Sequence, residues 1–307
     1  MKVAVTGAMG HIGSNLIRNE RMQQMATEIL LFDDFSTQKY NSWYSLPKSV
    51  KYVLIEGDLR KNFTPEAIEK CDAVIHLAAN TRSASSFTDP SIVQKNIELT
   101  RHVAECCRMC QTPMVFASTT SVYGEHSGSV NEAVAIQDPK SPYALMKLTE
   151  ERLLADYARH GLVVSILRFG TIFGFSPGMQ FHTAVNKFCW QAATRSMVTV
   201  WSTALDQSRP YLHVSDAAEA LCHAVGLGSR GPKTVNIVGA NATVREILSI
   251  IQRYADQVQV AVEDHPGMGE TSYVITSDLA VKSGYLALRT LDSGVCETMK
   301  HLSGGVC

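Results

Sequence analysis

Tyr143 and Lys147 stand four residues apart in Ser141-Pro142-Tyr143-Ala144-Leu145-Met146-Lys147. Positions i and i+4 of a helix share a face, so a phenol and an ammonium at this spacing meet at one site. A neighbouring positive charge favours phenolate and predicts a tyrosine pKa drawn down from about 10 toward neutrality. Such a tyrosine passes a proton to or from a substrate hydroxyl at working pH. The same spacing also occurs in ordinary exposed helix pairs, so the reading depends on the rest of the chain.

A second constellation opens the chain. Thr6-Gly7-Ala8-Met9-Gly10-His11-Ile12-Gly13 follows an apolar strand and starts a helix. Gly7 permits a tight turn, Gly10 admits a pyrophosphate close to the backbone, and Gly13 lets helix and strand pack closely. The helix N-terminus, from His11 and Ile12, offers amides and a favourable dipole to phosphate. Asp33 ends the next strand, 20 residues past Gly13, where a carboxylate accepts the ribose hydroxyls of adenosine and repels a 2′-phosphate. Asp34 follows it, no arginine is near, and Lys39 is the nearest cation, so the pattern favours NAD over NADP. Asp58 and Leu59, after the third strand, are placed to meet the adenine; Asp58 reads equally as a strand-end turn aspartate.

These residues need a scaffold, and the first half supplies one. Apolar runs alternate with amphipathic stretches, the pattern of βαβ units on a parallel sheet. Strands are expected at 2–6, 28–32, 51–56, 73–77, 113–117, 163–168 and 235–238, and helices at 12–19, 65–70, 91–110, 141–160 and 243–255. The segment 175–209 and the tail after Asp264 read as irregular. The expected fold is α/β: a Rossmann-type doubly wound parallel sheet with a smaller C-terminal substrate-binding lobe. Residues 1–174 and 210–239 form the nucleotide-binding domain in this reading, and 175–209 with 240–307 form the lobe.

The 307 residues carry a formal net charge of -1, which gives no electrostatic case for nucleic acid or an anionic membrane. No apolar run reaches the ~20 residues needed to span a bilayer. The start runs straight into a strand, without the pattern of a signal peptide, and a cytoplasmic protein is expected. Eight cysteines without a disulfide framework fit reduced thiols. Cys106, Cys107 and Cys110 read as buried or interface thiols rather than metal ligands, and His182, His213 and His223 lack metal-ligand spacing.

Taken together, these pieces resemble the extended short-chain dehydrogenase/reductase family, in its group of NAD-dependent nucleotide-sugar epimerases and dehydratases. The similarity also covers Gly57-Asp58-Leu59-Arg60, His76-Leu77-Ala78-Ala79, Asn96, Phe116 to Gly124, Leu167-Arg168, Phe173-Gly174, Arg209 to Asp216, and Asp278 with Gly284-Tyr285. The resemblance implies Tyr143 as catalytic acid or base. Lys147 would hold the nicotinamide ribose, and Thr119 would align the substrate oxygen, with Ser118 as its competitor. Leu77, Ala78, Ala79 and Asn96 join the cofactor residues. Arg209 would meet the substrate's diphosphate or serve as a structural surface arginine. Arg82, Ser83, Thr120 and Asn186 are further expected substrate contacts.

The resemblance implies an NAD-dependent epimerase of a nucleotide-linked sugar acting through a transient ketone. A reductase, dehydrogenase or dehydratase of a sugar or keto-sugar would use the same site, and a non-catalytic NAD sensor is a third class. Dehydratases of this kind usually carry Asp-Glu after the catalytic threonine, and here Thr120-Ser121 cannot act as carboxylic acids. Thr171 to Phe175 and Ser202 to Asp206 also depart from the family pattern on the substrate side. A homodimer through a four-helix bundle of the 91–110 and 141–160 helices is implied as well, with the Cys106 group in its seam.

Overall fold

The computed structural model describes residues 1–81, 89–124, 126, 128–136, 139, 141–231, 233–264 and 272–304. Seven parallel strands form the central sheet. From edge to edge they are Thr234–Ile237, Val164–Phe169, Met114–Thr119, Ala73–His76, Lys2–Thr6, Glu28–Asp33 and Lys51–Glu56. The chain leaves Lys2–Thr6 toward one edge and returns beside it through Ala73–His76. That reversal opens a crevice at the carboxyl ends of these two strands, the usual ligand position of an open α/β sheet.

Helices cover both faces, so the inner strands are apolar throughout rather than alternating. Val3 and Val5 pack with Ile29, Leu31, Ile75 and the Val214–Leu227 helix on one face. Ala4, Phe32, Val74 and Phe116 pack with the Ser91–Met109 helix on the other. A separate core gathers Phe173, Phe188, Tyr211, Ile247, Val295 and Met299 around the later helices Ala184–Ala193, Val244–Ile251 and Leu291–Leu302. A three-stranded sheet of Thr171–Phe173, Arg209–His213 and Ala240–Ala242 stands beside the central one.

The Pro142–Arg159 helix begins where its sequence demands. Ser141 accepts a hydrogen bond from the Ala144 amide, and Pro142 occupies the first turn, where its missing N–H is not needed. Tyr143 and Lys147 therefore lie on the first two turns, facing the sheet. The tail expected to be loop-rich holds the strand Tyr273–Ile275 and the helices Asp278–Lys282 and Leu291–Leu302. The Val214–Leu227 helix was also absent from the sequence reading. It follows its strand without a loop, and the His213 ring accepts from the Ser215 amide in place of a usual capping side chain.

Candidate active site

Three peptide segments build the crevice floor. Gly7 has φ of 67°, and a Cβ there would stand 2.7 Å from the Ala78 nitrogen. A Cβ on Gly13 would stand 2.5 Å from the Gly7 carbonyl oxygen, so this turn admits glycine alone at both places. Leu77 and Ala78 donate backbone N–H bonds to Thr6 Oγ1, which locks the end of the fourth strand against the turn. Gly10 precedes the helix His11–Leu16 and provides no side-chain cap, leaving first-turn amides for an anion.

Asp33 accepts from the Met9 amide at 2.9 Å and the Phe35 amide at 3.0 Å, which aims its carboxylate across the glycine turn. Burial raises its pKa despite these donors. The cradle of glycines and the carboxylate suit the pyrophosphate and ribose of a dinucleotide. Asp34 is occupied by the Ser36 amide. Asp58 caps the short Leu59–Asn62 helix and pairs with Arg60 at 2.6 Å, whose hydrogen bonds hold the carboxyl down to about 2. Its turn role is therefore the one on display, with buried Leu59 beneath it.

A strap from the later chain roofs the turn. A Cβ on Gly178 would lie 2.4 Å from the Gly10 carbonyl oxygen, and the Gly178 amide donates to Ser14 Oγ. Lys39 and Asn41 donate to the Met179 and Pro177 carbonyls, so both sides of the strap are tied down. The His11 ring turns to the Gly174 carbonyl at 2.9 Å. Burial pushes its pKa to about 4, so it donates as a neutral imidazole. Only its backbone is left to serve a phosphate.

The proton-transfer group lies at the carboxyl end of the Met114–Thr119 strand. Thr119 Oγ1 accepts from the Ser121 amide and donates to Ser121 Oγ, both at 3.2 Å. The Tyr143 phenol shares a hydrogen bond with Thr119, which lowers its pKa against the larger effect of burial. Tyr143, Thr119 and Ser121, which is exposed, are thus linked by hydrogen bonds.

Lys147 differs from the expectation. It is buried, its Nζ sits 4.5 Å from the centre of the Phe116 ring, and it pairs with Glu150 at 3.1 Å. Burial, then the Glu150 charge, raises the Tyr143 pKa above the ordinary tyrosine value. The downward shift expected from Lys147 is therefore reversed, first because the phenol is buried and then because the Glu150 carboxylate stands near it. Glu150 was missed in the sequence. Its signal is an acid at i+3 from Lys147 on a face that otherwise turns inward.

Several expected contacts prove to be supports. Ser118 donates to Glu151, which holds Arg168 in a buried bidentate pair with Oε2 at 2.6 Å, so Ser118 is no rival to Thr119. Thr120, expected on the substrate, is buried and donates to the Phe169 carbonyl. Asn96 bonds both backbone groups of Asn80, and Asn186 accepts from the Gly174 amide and donates to the Gln180 carbonyl. These two amides shape walls rather than present themselves to a ligand. Arg209 lies 5.3 Å above the Tyr273 ring and donates to Gln207 and the Ser208 carbonyl. Arg82 and Ser83 lie outside the described residues. Cys106 and Cys107 are buried in the chain's own core, and Cys106 and Cys110 point to the Phe63 and Pro65 carbonyls.

A sheet reversal roofed by a strap, with a Tyr–Thr pair and a buried lysine at its edge, defines a nucleotide-cofactor enzyme of the dehydrogenase type. The chain belongs to the NAD dependent epimerase/dehydratase family, whose model matches residues 3–238. NAD is the cofactor of that family. The chain is 32% identical over 265 residues to an uncharacterized UDP-glucose epimerase, YtcB, of Bacillus subtilis, covering 82% of this chain and 81% of the relative. It is 28% identical to the UDP-glucose 4-epimerase of Azospirillum brasilense over 87% of this chain and 81% of that one. Among solved structures, the UDP-glucuronic acid 4-epimerase of Bacillus cereus in complex with NAD superposes with a TM-score of 0.85 at 25% identity, covering 99% and 98% of the two chains. MoeE5 in complex with UDP-glucose and NAD gives 0.84 at 26% identity over 98% of each.

Proposed function

We propose that the protein interconverts epimers of a nucleotide-linked sugar, with a UDP-sugar as the first class to test. The Tyr143–Thr119 hydrogen bond beside the nucleotide crevice is the observation that carries this reading. The glycine turn, Asp33 and the backbone of Leu77 to Ala79 hold the cofactor. Bound NAD supplies a hydride acceptor and, once reduced, a hydride donor. Tyr143 passes its own phenolic proton on through Thr119 as it takes the proton of the sugar hydroxyl, and the reverse transfer restores both. Thr119 orients the same sugar oxygen, and its link to exposed Ser121 gives the proton a path to solvent. Lys147, whose buried ammonium lies on the phenol's side of the pocket, would hold the ribose of the bound cofactor. Thr120-Ser121 leaves no carboxylic acid beside Thr119 for water elimination, which favours epimerisation over dehydration.

Residues 1–174 and 210–239 act as the NAD-binding domain, and 175–209 with 240–307 as the sugar-nucleotide lobe. Arg209, part-exposed on that side, is the group for the diphosphate, since its fork suits two phosphate oxygens. The Ser91–Met109 and Pro142–Arg159 helices pack together and form half of a homodimeric four-helix bundle in this reading. Among the described residues no helix is long and apolar enough to cross a membrane, in keeping with action in the cytoplasm.

The test is incubation of the protein with a panel of UDP-sugars, resolving epimers by chromatography while following NADH absorbance. Interconversion without net NADH supports the proposal. Stoichiometric NADH accumulation, or a dehydrated product, replaces it with a dehydrogenase or dehydratase.

A further inference from the structure

Lys147 is the terminus of a buried polar chain that crosses the molecule beneath the crevice. Thr6 Oγ1 already accepts two backbone N–H bonds, so its own proton goes to His76 Nδ1 at 2.7 Å. That fixes the tautomer: His76 Nε2–H donates to Thr100 Oγ1 at 3.2 Å. Thr100 in turn donates to Glu150 Oε1 at 2.6 Å. Every donor points the same way, and the run ends on a carboxylate that is 0% exposed. Glu150 Oε2 lies 3.1 Å from Lys147 Nζ and, among the described residues, accepts no well-formed hydrogen bond.

A carboxylate buried this deeply costs several kcal/mol unless it is paired. An apolar side chain would fill the position at no such cost, so the charge itself has work to do. We propose that Glu150 is a positioning residue of the active site, seating the Lys147 ammonium and offsetting its charge at the Tyr143 phenol. The inference rests on Tyr143 as the proton-transfer group.

The groups facing this cluster come from each element around it. From the Ala73–His76 strand comes His76, held neutral because burial, then the Lys147 charge, lowers its pKa to about 3. The Ser91–Met109 helix contributes the Thr100 hydroxyl, and the Met114–Thr119 strand contributes Phe116 and Thr119. On the helix itself, Glu151 is spent on Arg168 of the Val164–Phe169 strand. Glu150 is thus the negative charge set against Lys147, and burial with that charge makes Tyr143 a weaker acid. In the free protein the phenol stays protonated.

Glu150→Gln keeps an acceptor for Thr100 and removes the charge. In the full chain with ring-labelled tyrosine, the resonance lost in Tyr143→Phe identifies Tyr143, and its titration is followed by NMR without substrate. The expected result is titration roughly one pH unit lower than in the parent protein. Glu150→Asp returns it upward. The acid limb of the pH–rate profile moves the same way. Titration at an unchanged or higher pH overturns the proposal, including when thermal stability alone falls. Should the Gln variant fail to fold, Thr100→Val, which weakens the carboxylate's support, is read in its place; a smaller downward movement supports the proposal and none overturns it. Because the phenol is read without turnover, this outcome is independent of whether the sugar reaction proves correct.

Discussion

The Tyr143 oxygen is the point where the proposed chemistry and the observed bonding coincide. It is already hydrogen-bonded to Thr119, so replacing the phenol removes the transfer group and little else. Tyr143→Phe should lower turnover by about 10²–10⁴-fold while NAD affinity, read by calorimetry, stays within a few fold. Loss of both would show that the substitution disturbed the fold. Asp33 offers a separate test, since its carboxylate faces where adenosine ribose hydroxyls are expected. Asp33→Ala should weaken NAD more than NADP by fluorescence titration; equal weakening would remove the ribose assignment. The sequence singled out both residues from their spacing and their position at an element's end. It misjudged the sign of the shift at Tyr143, because i,i+4 spacing reveals Lys147 while the weight of Glu150 depends on burial that only the packed helix shows.

Elements explain why the site keeps its shape. The Glu151–Arg168 pair joins the helix bearing Tyr143 to the strand beside Thr119, with side-chain exposures of 7% and 9%. Glu151→Gln leaves a buried guanidinium without its counter-charge and should cost about 3–5 kcal/mol in urea unfolding. A loss below about 1 kcal/mol would mean that solvent reaches the pair. The central strands were legible because runs such as Val3-Ala4-Val5 and Ile29-Leu30-Leu31-Phe32 are apolar on both faces. Of the later elements, the strand at 235–238 and the helix at 243–255 were legible and others were not. Tyr273–Ile275 has three residues and pairs with Gly128–Val130 across the chain, so neither period nor length marks it locally. Asn96, Thr120 and Asn186 carry the residue types of ligand contacts, and only their bonding partners reveal them as supports.

At the scale of the whole molecule, buried histidines govern the response to acid. His76 and His213 are 1% and 0% exposed, and burial lowers their pKa values to about 3 and about 4 from 6.5. The unfolded chain therefore binds protons that the folded one refuses between pH 6.5 and about 4. Their contribution is present above pH 6.5 and is lost as pH falls, at roughly 1.4 kcal/mol per pH unit for each histidine. Asp33 and Asp216, whose pKa values burial raises, act in the opposite sense at the acid end of that window. Urea midpoints should drop from pH 7 to pH 5; a flat or rising midpoint would contradict neutral burial of the rings. The proposed homodimer has its own test. Leu145 is 43% exposed on the helix assigned to the bundle, and Leu145→Glu should shift sedimentation from dimer to monomer.

The strap at Gly178 carries one more implication. It rests on the Gly10 and Met9 carbonyls, while Asn186 fastens the neighbouring Gly174 and Gln180 from the opposite lobe. One short segment thus links the glycine turn to the Ala184–Ala193 helix, by backbone contact on one side and the Asn186 amide on the other, and any side chain at position 178 would push the strap off the turn.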